Sequence, residues 1–106
     1  MTTAEDIKFL VCDYFKMEPW KLVTPFRGKH NTYVRHMTMF MLRKQLDMTY
    51  VQIGKEVRRA TCAVKNGVTR IENELDYCAE VQGDVGNLTD AIIEWEEKTG
   101  TAYIEH

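Results

Sequence analysis

The apolar positions of this chain fall into helical stripes separated by short polar breaks. Ile7, Leu10, Val11, Tyr14 and Phe15 form the first stripe. Their spacing predicts a core-facing helix from Thr3 to about Lys16, opened by a capping box between Thr3 and Asp6. Met17-Glu18-Pro19-Trp20 breaks it, because the residue before a proline avoids the α region. Pro19 can open a short turn from which Trp20, Leu22 and Val23 pack inward. Thr24–Asn31 reads as a loop punctuated by Pro25 and Gly28. A helix is expected from about Thr32 to Leu46, with Val34, Met37, Phe40 and Met41 on one side and Leu42 and Leu46 extending it. Methionines 37, 39, 41 and 48 suit irregular gaps in a core.

The stretch from Thr49 to Leu75 organises the rest. Thr49 and Gln52 have the spacing of a second capping box, and Tyr50, Val51 and Ile53 give the short helix that follows an apolar side. A corner is expected near Val57–Ala60. Val64, Val68, Ile71, Leu75 and Cys78 then trace one face of a longer helix reaching about Val81. Gly67 lies inside it, where glycine costs roughly 1 kcal/mol against alanine; a close helix crossing would explain its presence. Gln82-Gly83-Asp84-Val85-Gly86 reads as a stop. Asn87 is expected to cap a last helix with Leu88, Ala91, Ile92 and Trp95 on its buried side, ended by Gly100. These elements make one all-α domain over residues 1–106, a small helical fold with a helix-turn-helix at its centre.

Charge sharpens this picture. The net charge is −2, yet residues 20–70 hold eleven Lys and Arg against only Asp47 and Glu56. That block is +9 and the remainder is −11. Such asymmetry is the footprint of a patch that meets polyanions, although a charge block can also serve solubility alone. In a helix-turn-helix, the start of the second helix faces the DNA major groove. Arg58, Arg59, Thr61, Cys62 and Lys65 occupy that start, and Arg27, Lys29 and Arg35 are placed to hold phosphate or minor groove. An ordinary helical corner with a solvated basic rim is the competing reading.

Other chemistry finds less support. The three cysteines, Cys12, Cys62 and Cys78, form no CxxC pair and suit free thiols in a reducing compartment. His30, His36 and Cys62 lack metal-ligand spacing. No run of apolar residues approaches membrane-span length, and no signal peptide is visible, so a cytoplasmic protein without membrane contact is expected. The basic block carries two carboxylates on different elements, too few to hold a catalytic metal, and Cys62 has no histidine at a telling spacing. No enzyme activity, catalytic residue, metal or cofactor is expected.

With the elements placed, the chain resembles the C-terminal DNA-binding domain of the bacterial replication initiator DnaA family over about residues 4–96. IKFLVCDYFKMEPWKLV is similar to the family's first helix and hydrophobic turn. FRGKHNTYVRHMTMFMLRKQL resembles its basic loop and Met-rich helix, and LDMTYVQIGKEV its lead into the signature. The signature departs. Where the family has a Gly-Gly-Arg-Asp-His-Thr-Thr-Val-like run, this chain reads Val57-Arg58-Arg59-Ala60-Thr61-Cys62-Ala63-Val64. Ala60 offers neither a carboxylate for a cytosine amino group nor a helix cap. No GxxxxGK[ST] occurs, so no nucleotide is expected.

The resemblance implies sequence-specific binding of double-stranded DNA, in replication initiation control at DnaA-box-like sites or in transcription regulation. The alternative is a helical interaction module that uses its acidic C-terminal half, Glu72 to Glu97, to meet a protein partner, with Trp95 as an aromatic among Glu94, Glu96 and Glu97.

Overall fold

In the computed structural model, which describes residues 2–23 and 28–104, the described residues form helices and turns and no strand. Helix α1 spans Ala4–Tyr14, α2 Lys29–Leu46, α3 Tyr50–Val57, α4 Thr61–Leu75 and α5 Ala79–Ile104, with a single 3₁₀ turn at Pro19–Leu22 after α1. Both expected capping boxes are present. Thr3 accepts from the Asp6 backbone N–H, and the Asp6 carboxylate accepts from Thr3 N–H at 3.0 Å. Thr49 and Gln52 repeat the exchange at the start of α3. The Asp6 carboxyl is held below its ordinary pKa by that Thr3 backbone bond, against the cost of desolvation.

Helix α2 is the centre of the core. Val34, Met37, Met39, Phe40, Met41 and Leu42 are all buried, which fits the gap-filling role of the methionines. Helix α4 crosses it at Gly67. A Cβ there would lie 2.7 Å from Met39 Sδ and 2.8 Å from His36 Cδ2, so glycine permits the approach. Ile7, Val11 and Cys12 of α1 close one side of the core, and Val81, Leu88 and Ile92 of α5 close another. Burial pushes the Cys12 thiol up to about 11, leaving it an inert core residue.

Four expectations change. Helix α2 begins at Lys29, so His30 and Asn31 are helical rather than loop. Helix α4 ends at Leu75, and Cys78 sits in the turn before α5 instead of on α4. The proposed stop at 82–86, the Asn87 cap and the Gly100 terminus are absent: α5 runs unbroken from Ala79 to Ile104. Its apolar stripe, Val81, Val85, Leu88 and Ile92, continues through both glycines. Asp84 adds long-range anchors, accepting from Tyr14 Oη at 2.9 Å and Tyr33 Oη at 2.6 Å. Tertiary burial therefore overrides two weak helix formers. Finally, Trp20 does not pack inward. It is 50% exposed and donates to the Glu18 carboxylate, while Leu22 takes the buried position.

Candidate nucleic-acid interface

The corner between α3 and α4 is three residues long, Arg58-Arg59-Ala60. Arg58 ends α3 in the left-handed region, at φ 54 and ψ 54. The chain then doubles back so tightly that the Arg59 N–H donates to Gly54 O at 2.9 Å. A Cβ on Gly54 would lie 2.6 Å from Arg59 O, so the corner exists because residue 54 has no side chain. Lys8 braces it from α1, placing its ammonium 2.7 Å from Glu5 and 2.9 Å from Glu56. Burial lowers the Lys8 pKa, and the two carboxylates more than reverse this and raise it.

Helix α4 starts at Thr61 with Ala60 as an N-cap that supplies no side-chain hydrogen bond. The first-turn N–H groups therefore point outward without a side-chain acceptor from the cap, a setting that favours anions. Val64, Val68 and Ile71 fix the buried face. Thr61, Cys62 and Lys65 consequently lie exposed on the opposite side. Arg58 is exposed beside them. Arg59 is half-buried, and its Nη1 donates to Arg58 O at 2.9 Å and Val57 O at 3.3 Å. That guanidinium supports the corner as well as flanking it.

The remaining candidates separate. Lys29 is exposed at the start of α2. Arg27 lies outside the described residues. Arg35 is only 7% exposed, and its Nε donates to Leu22 O at 3.3 Å. Position 35, expected from sequence to hold phosphate or minor groove, falls on the packed side of α2, and its side chain braces that helix against the 3₁₀ turn. Burial, and then the charge of Arg59, hold the Arg35 pKa below its ordinary value. Other members of the basic block are also used internally. Arg43 Nη1 donates to Met48 O at 2.8 Å and its guanidinium covers the Tyr50 ring, which ties the end of α2 to the start of α3. Lys44 pairs with Glu72 at 3.6 Å.

His36, weighed from sequence only as a metal ligand, and Arg70, counted there only in the basic block, meet across the α2–α4 crossing. Helix α2 turns His36 toward α4, where it lines an open depression together with Lys29, Thr32, Arg70 and Glu74. A histidine seven residues after the first helical lysine carries no sequence signal for this; the crossing at Gly67 produces it. Among the described residues no three His, Cys, Asp or Glu side chains gather as a metal site would require. Nor, among them, is any helix long and apolar enough to cross a membrane. Trp95, offered as an aromatic on the acidic face, is half-buried and helps hold the Asp6 carboxyl of α1 below its ordinary pKa.

Comparison with known proteins agrees with this geometry. The family described as the bacterial dnaA protein helix-turn-helix matches residues 4–71, from α1 through most of α4. The chromosomal replication initiator protein DnaA of Thermomicrobium roseum is 30% identical over 84 residues, covering 78% of this chain and 18% of that protein. Its namesake in Bdellovibrio bacteriovorus is 29% identical over 91 residues, covering 85% of this chain and 19% of its own length. The chain thus spans about a fifth of the relatives it matches.

Proposed function

The chain belongs to the bacterial DnaA helix-turn-helix family, and from that premise we propose that it binds double-stranded DNA sequence-specifically, in the control of replication initiation. One observation carries the reading. The exposed face at the start of α4 presents Thr61, Cys62 and Lys65 directly after a corner bearing Arg58, while the opposite face is sealed by Val64 and Val68. In this arrangement α4 enters the major groove by its N-terminal turn. Thr61 reads a base edge or thymine methyl, and Lys65, one turn on, meets a base or phosphate. Arg58 and Lys29 supply charge to the backbone on either side, and Arg59 holds the corner in shape. Arg35, bonded to the Leu22 carbonyl, positions α2 beneath this surface.

The preferred site should differ from that of relatives with the full family signature. Ala60 and Cys62 stand where the family run has polar readers, so fewer base-specific hydrogen bonds are available. Selection from random duplexes tests the proposal. One enriched motif is the expected result, and Thr61→Ala should relax preference at one or two of its positions, by about 1–3 kcal/mol for each lost base contact. Failure to retain any duplex at low salt would overturn the reading.

A further inference from the structure

Helices α2 and α4 leave a trough between them. Its larger part, about 580 Å³, is bordered by Lys29, Thr32, His36, Arg70 and Glu74. A second part of about 450 Å³ shares His36, Arg70 and Glu74 and runs on past Asn66 and Thr69 of α4. The trough therefore leads from the first turn of α2 onto the exposed side of the recognition helix, with His36 on both parts. A protein that sets α4 in one groove and the start of α2 near the next must straddle the strand of sugar-phosphate dividing them. On the duplex-binding reading above, that strand passes along the trough. Lys29 and Arg70 offer positive charge to it, Thr32 and Asn66 offer hydrogen-bond donors, and the Glu74 carboxylate is already engaged by Arg70 Nε at 2.9 Å.

We propose that His36 is a phosphate ligand in this trough and that it grips the duplex backbone in its protonated form, so that affinity rises as the pH falls. This rests on the duplex-binding reading above and adds a residue and a regulatory input to it. In the free protein the surroundings lower the His36 pKa. Burial is the main cause, and the charges of Arg70 on α4 and Arg35 on α2 add to it; only Glu74 pulls the other way. Lys29 and Tyr33 of α2, and Tyr77 of the turn after α4, are the remaining titratable residues lining the trough. An entering phosphate brings negative charge to the open side of the imidazole and offsets both arginines. The ring then takes a proton from solvent and donates to the phosphate oxygen, and a charge-assisted hydrogen bond replaces a neutral contact.

The test is fluorescence anisotropy with a labelled duplex of about 20 mixed-sequence base pairs at fixed ionic strength, read at pH 8 and pH 6, a window in which histidine titrates. The wild-type chain should tighten roughly fivefold on acidification, within the tenfold that one unit of pKa coupling allows. His36→Gln should lose that dependence and His30→Gln should keep it. Equal tightening in His36→Gln, or no dependence in the wild type, would overturn the proposal and leave duplex binding intact. No binding at either pH would overturn both. Because the His36 ring packs against Gly67, a wild-type measurement accompanies the variants. Followed by NMR of the ring protons, His36 should titrate at higher pH with the duplex bound than without it. An unmoved titration would also overturn the assignment.

Discussion

Arg58 is a residue placed against its own conformational preference. A side chain at φ 54 costs roughly 1 kcal/mol that glycine would not, and the family run has glycine at this corner. The structure keeps a charge there instead. Arg58→Gly should therefore raise thermal stability by up to about 0.5 kcal/mol, after allowing for the greater freedom of glycine in the unfolded chain. The same change should weaken duplex binding and flatten its salt dependence by about one contact. Melts and salt titrations on one preparation check both signs; a less stable Arg58→Gly would mean the side chain supports the fold. His36 gives a second opposed pair. Its native pKa is depressed, so at high pH both native and unfolded forms are neutral and the residue contributes nothing. As pH falls through the unfolded value near 6.5, the unfolded chain binds a proton the native chain resists, and stability drops. Acid should thus destabilise the free domain while tightening its complex. His36→Gln should remove part of the acid loss in urea melts, and an unchanged pH profile would rule out burial as the source.

At the scale of elements, glycine separates what could be read from the sequence from what could not. Capping boxes use residues three apart, so the starts of α1 and α3 were visible in Thr3–Asp6 and Thr49–Gln52. The helical stripe of α4 and the close crossing at Gly67 were visible for the same reason: they are local patterns. Gly83 and Gly86 misled because what holds α5 straight is remote. Val81, Val85 and Leu88 find their partners on other helices, and Asp84 is gripped by Tyr14 and Tyr33, 70 and 51 residues away in sequence. The burial of Arg35 was hidden in the same way, since its acceptor is a carbonyl 13 residues back. These two classes of glycine should respond oppositely to substitution. Around Gly83 and Gly86 a Cβ meets nothing within 4 Å, so Gly83→Ala and Gly86→Ala should each add roughly 0.5–1 kcal/mol. Gly54→Ala puts its Cβ 2.6 Å from a backbone oxygen that cannot step aside without reshaping the corner. It should cost about 2 kcal/mol or more and take duplex binding with it. Denaturant melts decide both, and a neutral Gly54→Ala would show that the corner can relax.

For the whole molecule, the sum of charge says less than where each charge is spent. The +9 of residues 20–70 is not a uniform basic surface. Arg35 and Arg43 are bonded to backbone carbonyls inside the fold, and Lys44 and Arg70 each face a glutamate of α4. The acids of the −11 remainder are likewise divided. Asp84 is engaged by two tyrosines, while Glu94, Glu96 and Glu97 stand exposed on α5. Exposed cations outside those pairs include Lys29 at the start of α2, and Lys55, Arg58 and Lys65 at and beside the α3–α4 corner. If these and one further basic group each neutralise a phosphate, about five counterions are released, and log affinity should fall against log salt with a slope near −4 to −5. The slope also tests the assignment residue by residue. Lys65→Ala should flatten it by about one unit, because that ammonium meets the backbone or a base beside it. Lys44→Ala should leave it unchanged, since Lys44 covers the Phe40 ring and pairs with Glu72 away from the start of α4. Anisotropy titrations over a salt series measure all three chains. A slope that falls equally for Lys44→Ala and Lys65→Ala would mean that binding follows overall charge, and the corner would lose its claim to direct it.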